Sequence, residues 1–297
     1  MKTRRIIVFI TVLTAPFCLW AQHNGKNKEK IDTTEITVKV ISKNSKDSVI
    51  ISDNGQPWVK ASREKNVTTS WFGIDLGFVN FVDHTTYTDP AVQAFAPGAT
   101  GSWLDLRSGK SVNVNIWLLS QKVNLVKHVV NLKYSLGLEL NNYRFRNPVR
   151  FNPKPGTDAA IPAVVYMDET PGRTYRKNKL AADYLTLPVM LNFTIPTKNR
   201  KVVEVNRKNI RVKASKEFGI SAGISAGYLY SARNKYINSD EGRHKFKDDF
   251  SLNPWKIAYV GEVNLGYLGV YGSFATKSMF KRGLDLTPYV VGVRLGL

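Results

Sequence analysis

The sequence comes nearest to acid–base chemistry at Asp83-His84. A carboxylate beside an imidazole activates water only when the two side chains meet over a bound substrate. Neighbours in an extended chain point apart, and no second acidic pair or serine is spaced to complete such a site. His244 with Asp240-Glu241 offers metal-ligand atom types, but without regular ligand spacing. Both places read as exposed polar loops. The sequence therefore points to a non-enzymatic protein with no catalytic residues, no cofactor and no metal.

A second set of charges is placed far more regularly. Asp75, Lys133, Glu139, Lys256, Glu262 and Arg294 each occupy a polar position inside an apolar–polar alternation. Three are acidic and three basic, so the set can neutralise itself. Facing lipid at mid-membrane, Arg294 alone would cost about 2–4 kcal/mol. Inside a narrow barrel, filled by its own side chains, it can bond to carboxylates. The expectation is a charge network that knits a plugged lumen together.

The elements that would position these charges are long period-two strands. Phe72, Ile74, Leu76 and Phe78 alternate with Gly73, Asp75 and Gly77 in the first, Phe72 to Val82. Val112 to Leu118, Leu132 to Asn141, Leu185 to Phe193 and Phe218 to Tyr228 follow the same rule, and Pro188 within the fourth suggests a bulge. Lys256 to Leu265, a weaker Val270 to Phe274, and Tyr289 to Leu297 complete eight. None keeps a helical i, i+3, i+4 stripe. The fold class is all-β, an eight-stranded antiparallel up-and-down barrel.

Alternation alone leaves open which face points inward, since a soluble lipocalin-like barrel hides its apolar face. Three features favour the inverted, transmembrane arrangement. The polar face is rich in glycine and serine. Connections alternate between tight (125–128, 266–268) and long (83–110, 144–183, 231–253), as outer-membrane barrels alternate short periplasmic turns with long outer loops. Trp71, Trp255, Tyr143, Tyr184, Tyr228, Tyr230 and Tyr289 stand near strand ends, where an interfacial girdle would lie.

The N-terminus agrees. Lys2, Arg4 and Arg5 precede an apolar run from Ile6 to Trp20, interrupted by Pro16 and ending at Ala21. This is the pattern of a signal peptide cleaved after residue 21. The only cysteine, Cys18, lies within it, and Pro16-Phe17 does not fit lipoprotein processing. Of the formal charge of +20, Lys2, Arg4 and Arg5 supply three, leaving +17 beyond Ala21. On an exported chain the expected counter-charge is anionic lipid or lipopolysaccharide rather than nucleic acid, with solvated basic loops as the alternative.

Residues 22–70 read as a polar periplasmic segment, with a hairpin of Ile36–Ile41 against Val49–Ser52 and a linker through Asn54-Gly55. Residues 71–297 form the barrel. The basic connection from Thr197 to Lys216 falls on the periplasmic side and suggests an extra hairpin, Val202–Val205 against Ile210–Lys213. At the base of the 144–183 loop, Arg144, Arg146 and Arg150 are the candidates for contacts with lipopolysaccharide phosphates.

In order and spacing the chain resembles the Bacteroidota outer-membrane β-barrel family that includes PorT-like proteins. The carrying segments are Trp71-Phe72-Gly73-Ile74-Asp75-Leu76-Gly77, Trp103-Leu104-Asp105-Leu106 and Gly137-Leu138-Glu139-Leu140-Asn141-Asn142-Tyr143. Tyr184-Leu185-Thr186-Leu187-Pro188, Ser221-Ala222-Gly223 and Leu252-Asn253-Pro254-Trp255 continue the pattern. The resemblance implies an outer-membrane location and no enzyme activity. Members mostly lack an assigned role, although the PorT-like branch is linked to protein secretion. The expected role is a structural or scaffold component of the envelope, with envelope or secretion-machinery proteins as partners through residues 22–70 and 197–216. The alternative is a surface ligand-binding or adhesion barrel acting through its long outer loops. Two departures stand out: Leu297 in place of a terminal aromatic, and the length of the basic 197–216 connection.

Overall fold

In a computed structural model, the described residues are 49–51, 57–59, 66–153, 155, 163–195, 203–206, 209–212, 218–266 and 268–295. Residues 1–21, expected to be a signal peptide, lie outside them. The chain divides into two compact units, residues 1–63 and 64–297.

In the first unit, Val49–Ile51 pairs antiparallel with Pro57–Val59. The expected partner of Val49 was Ile36–Ile41, which lies outside the described residues. Asn54-Gly55, read from the sequence as linker, falls between the paired strands, and Asn-Gly is the strongest short hairpin signal.

The second unit is all-β, and its core is a ring of eight antiparallel strands. They are β1 (Val67–Asp83), β2 (Val112–Val126), β3 (Val130–Arg144), β4 (Tyr175–Ile195), β5 (Phe218–Asn238), β6 (Trp255–Leu265), β7 (Leu268–Ala275) and β8 (Leu286–Leu295). Each pairs with the next in chain order. β8 returns to pair with β1 from Leu286↔Asp83 to Leu295↔Ile74, so the ring has no free edge.

The structure resolves the choice of faces. Asp75 is fully buried, while Ile74, Leu76 and Phe78 beside it are 45–59% exposed. Asn113, Asn131, Ser135, Glu139, Asn141, Asn192, Ser221 and Glu262 are likewise buried, against exposed Leu136, Leu187, Leu191, Phe193, Ile220 and Val263. The polar face is inside and the apolar face outside.

The two ends of the ring differ. At one end the links are tight: Lys127 and His128 turn β2 into β3 with φ of 44° and 58°, and Gly266 (φ 88°) follows β6. Two successive left-handed residues match the twist of a hairpin. The basic connection at this end carries the hairpin Val203–Asn206 with Asn209–Val212, close to the pairing expected. At the other end the links are long. The first holds a six-residue helix, Pro90–Phe95, started by Asp89, which accepts from the Ala91 N–H at 2.8 Å. Another holds the hairpin Val149–Phe151 with Val165–Met167.

Several boundaries differ from the expectation. β1 begins at Val67 rather than Trp71, because Val67-Thr68-Thr69 continues the ladder against Gln121–Val123. Pro188 makes no bulge: β4 keeps one register with β5 through it. β4 and β5 run 21 residues each, so Tyr175–Asp183 and Ser231–Asn238, expected within loops, are strand. Beyond β5 the chain doubles back as Gly242–Lys247, paired to Arg233–Asn238.

Candidate functional site

The interior is built where the inward positions of all eight strands converge. Asp75 on β1 and Arg294 on β8 are register partners, and the guanidinium grips the carboxylate with two bonds of 2.8 Å. Trp117 Nε1 donates to the same carboxylate at 2.7 Å. Arg294 also pairs with Glu262, which in turn pairs with Lys133 across the ring and accepts from Ser221 Oγ at 2.9 Å. Glu139 pairs with Lys256 and accepts from Asn141 Nδ2 at 2.9 Å. All six charged residues expected inside are there, joined in two clusters: Asp75–Arg294–Glu262–Lys133 and Glu139–Lys256.

Amide and hydroxyl groups extend these clusters along the interior. Tyr271 Oη donates to Asn113 Oδ1 at 2.5 Å, Asn113 donates to Asn141 at 2.8 Å, and Asn141 reaches Glu139. Asn192 donates to Ser221 at 2.9 Å, and Asn131 donates to Asn192 at 3.2 Å. Buried charges are tolerated only when paired and further hydrogen-bonded, which is the condition met here. A cavity of about 40 Å³ remains between Asn115, Trp117, Glu139 and Arg294. A polar vestibule of about 310 Å³ opens at the tight-turn end, lined by Ser120, Gln121, Lys133, Asn192 and Thr194 among others. Lys133, which pairs with Glu262, is part of its wall.

The long-loop end is closed by a second core that the sequence reading did not find. Val92 and Phe95 of the helix, Leu104, Leu106, Phe145, Val149, Phe151, Val164, Val165, Phe250, Leu252, Met279, Phe280 and Leu284 are buried together. Phe151 stacks on Phe280 at 6.4 Å between ring centroids, and Phe95 meets Phe280 edge-on at 5.8 Å. This cap rests on Val79, Leu180, Ala182, Tyr184 and Leu286, inward residues of the strands. Tyr143 and Tyr184, expected in an outward girdle, belong to this buried set, whereas Trp71, Trp255, Tyr228 and Tyr230 are exposed. Tyr143 and Tyr184 stand near strand ends, but the alternation of β3 and β4 turns both inward.

The three arginines at the base of the longest loop do not act together. Arg144 points outward and donates to the Arg176 carbonyl at 2.9 Å. Arg146 donates to the Leu106 carbonyl at 3.1 Å. Arg150 is folded into the cap: it lies 3.6 Å over the Tyr236 ring and donates to Asp168 at 3.1 Å. Asp168 is also bound by Tyr175, by Thr170 Oγ1 at 2.7 Å and by Arg173 at 3.0 Å. Burial would raise this carboxyl, but the bonds from Tyr175, Thr170 and Arg173 outweigh it and hold Asp168 well below the usual carboxylate range.

Asp83 turns away from acid–base work with His84. Its carboxylate accepts from the Thr85 N–H at 2.8 Å and from Tyr87 Oη at 2.5 Å. His244 stacks on Tyr236 at 5.1 Å, with its Nε2 3.0 Å from the Glu241 carbonyl. No group of three metal-ligating side chains occurs among the described residues. The arrangement thus offers a charge-compensated interior closed at one end, and an apolar exterior. No protein-family model matches this chain, nor does any curated protein or solved structure.

Proposed function

We propose that the chain is an integral outer-membrane β-barrel with a plugged, non-conducting interior, serving as a structural or scaffold component of the cell envelope. The observation that carries this reading is the inverted distribution of polarity. Large apolar side chains stand exposed on every ring strand, among them Phe78, Val112, Leu136, Leu191, Ile224, Tyr259, Phe274 and Val293. Water-soluble monomers rarely expose contiguous apolar patches beyond a few hundred Å². On β4 the exposed apolar positions run from Leu185 to Ile195. Ten residue steps of about 3.3 Å, tilted by about 40°, cover about 25 Å, the height of an outer-membrane apolar band.

The paired interior charges and the apolar cap support a plug rather than a channel. The resemblance to PorT-like barrels supports a link to protein secretion. Under that reading the basic connection Thr197–Lys216 is the surface offered to envelope or secretion-machinery proteins. Purified protein in planar bilayers tests the plug: no stable conductance is expected, and steady ion current would overturn it. Cross-linking in intact cells tests the scaffold role. Contacts from 197–216 to envelope machinery are expected; recovery of lipopolysaccharide and abundant neighbours alone would instead favour a surface-binding barrel.

A further inference from the structure

Beyond the apolar belt, the outward face of the sheet changes chemistry without ending. On β4 the alternation that turns Leu187 and Leu185 outward continues to Lys179 and Lys177. On β5 the irregularity between Leu229 and Ser231 shifts the alternation, so Arg233 and Lys235 join the face of Ile224 and Tyr228 while Asn234 and Tyr236 are buried. Arg144 stands opposite Lys179, Lys179 opposite Lys235, and Lys235 opposite Lys245. Four cations thus form one row across four strands, about 14 Å long at the usual strand spacing. Arg233 opposite Lys247, and Lys177 and Arg243 flanking Ile237, extend it on either side.

Like charges placed directly opposite in a sheet destabilise it. Here little relieves them. Arg233 pairs with Asp183, but none of the other seven forms an ion pair among the described residues. Lys179 finds only the neutral Asn142 side-chain oxygen. Burial first, then Lys177, Lys235, Arg233 and Arg144, push Lys179, which lies beyond the apolar belt, down to about 8. Asp183 is the one carboxylate among the described residues that pairs with this face.

We propose that this face docks the phosphate groups of membrane lipid, held by Arg144, Lys179, Lys235 and Lys245. The inference rests on the membrane reading above. Charge complementarity asks for several phosphates, and lysine and arginine bind them by charge-assisted hydrogen bonds. Continuity with the belt selects lipid over a soluble polyanion. The Leu138–Leu185–Tyr228 row lies on the same outward face, six residues below the cationic row. Six residues of about 3.3 Å, tilted by about 40°, put the cationic row about 15 Å beyond Leu185, on the headgroup side of the belt.

Native mass spectrometry of the full chain in neutral detergent tests this, titrated with diphosphoryl lipid A, phosphatidylcholine and inorganic pyrophosphate. Diphosphoryl lipid A is expected to bind ~10-fold or more tightly than phosphatidylcholine, with salt weakening the preference. The triple variant Lys179→Gln, Lys235→Gln, Lys245→Gln should lose that preference, and the three Lys→Arg replacements should keep it. An undiminished preference in the glutamine variant would overturn the proposal. So would pyrophosphate binding as tightly as the lipid, which would make this a site for free phosphate. Insertion into phosphatidylcholine vesicles, scored by protease protection, separates the two readings. Failure to insert contradicts the membrane reading and this inference with it, whereas normal insertion without phosphate preference overturns the docking face alone.

Discussion

Arg294 and Asp75 are 219 residues apart in sequence and directly opposite in register, joined by two hydrogen bonds of 2.8 Å at the seam where the last strand meets the first. The pair fixes the closing register by chemistry as well as by apolar alternation. A one-residue slip of β8 would send Arg294 out among apolar side chains.

Breaking this pair on one side should therefore cost more than removing both partners. Arg294→Met leaves Asp75 and Glu262 buried without this cation and should destabilise by about 3–5 kcal/mol. The double variant Arg294→Met, Asp75→Asn should recover part of that loss. Urea unfolding of the refolded protein in detergent reads both, and strict additivity would contradict a coupled pair.

Packing beside the seam gives a second prediction. A Cβ on Gly292 would lie 2.6 Å from both the Gly77 Cα and Tyr271 Cε1. Gly261 has only the Ser221 carbonyl near it, at 3.7 Å. Gly292→Ala should cost about 1–3 kcal/mol by overpacking, and Gly261→Ala well under that. Equal costs by urea unfolding would show that Tyr271 does not need the space.

The cap should respond to acid. A carboxyl whose folded value lies below its unfolded one, near 4, stabilises the fold fully above that pH. The contribution is lost as pH falls through the folded value. Asp168 is such a group. Hydrogen exchange of the 145–174 segment should rise below about pH 4, and Asp168→Asn should raise it already at pH 7 while leaving β1–β8 protected. Unchanged exchange in the variant would remove Asp168 from its holding role.

The strands and the six interior charges were legible because both follow a period of two, which a linear sequence displays directly. The cap was not, because Phe95, Phe151 and Phe280 come from three separate connections and have no common period. The extensions of β4 and β5 were missed for a related reason. At Lys177, Lys179, Arg233 and Lys235 the outward residues turn cationic, so the apolar half of the alternation stops while the ladder continues. Arg150 looked free because Asp168 and Tyr236, its partners, are 18 and 86 residues away.

The outward face distinguishes a membrane from water through a single substitution. Val189 is 37% exposed on β4, near the middle of the belt. Val189→Lys should cost about 2–4 kcal/mol in a bilayer, measured by urea titration in phosphatidylcholine vesicles. The same change on a water-facing surface would fall within about 0.5 kcal/mol, and a cost that small would contradict lipid contact.

The most direct test of the inverted, membrane-spanning barrel uses the absence of cysteine after residue 21. Single cysteines from Leu185 to Ile195, each spin-labelled after reconstitution in vesicles, report collision rates with oxygen and with a water-soluble nickel complex. The account predicts high oxygen access at 187, 189, 191 and 193, alternating with low access to both agents at 186, 190 and 192. Nickel access at the odd positions, or no period of two, would contradict it.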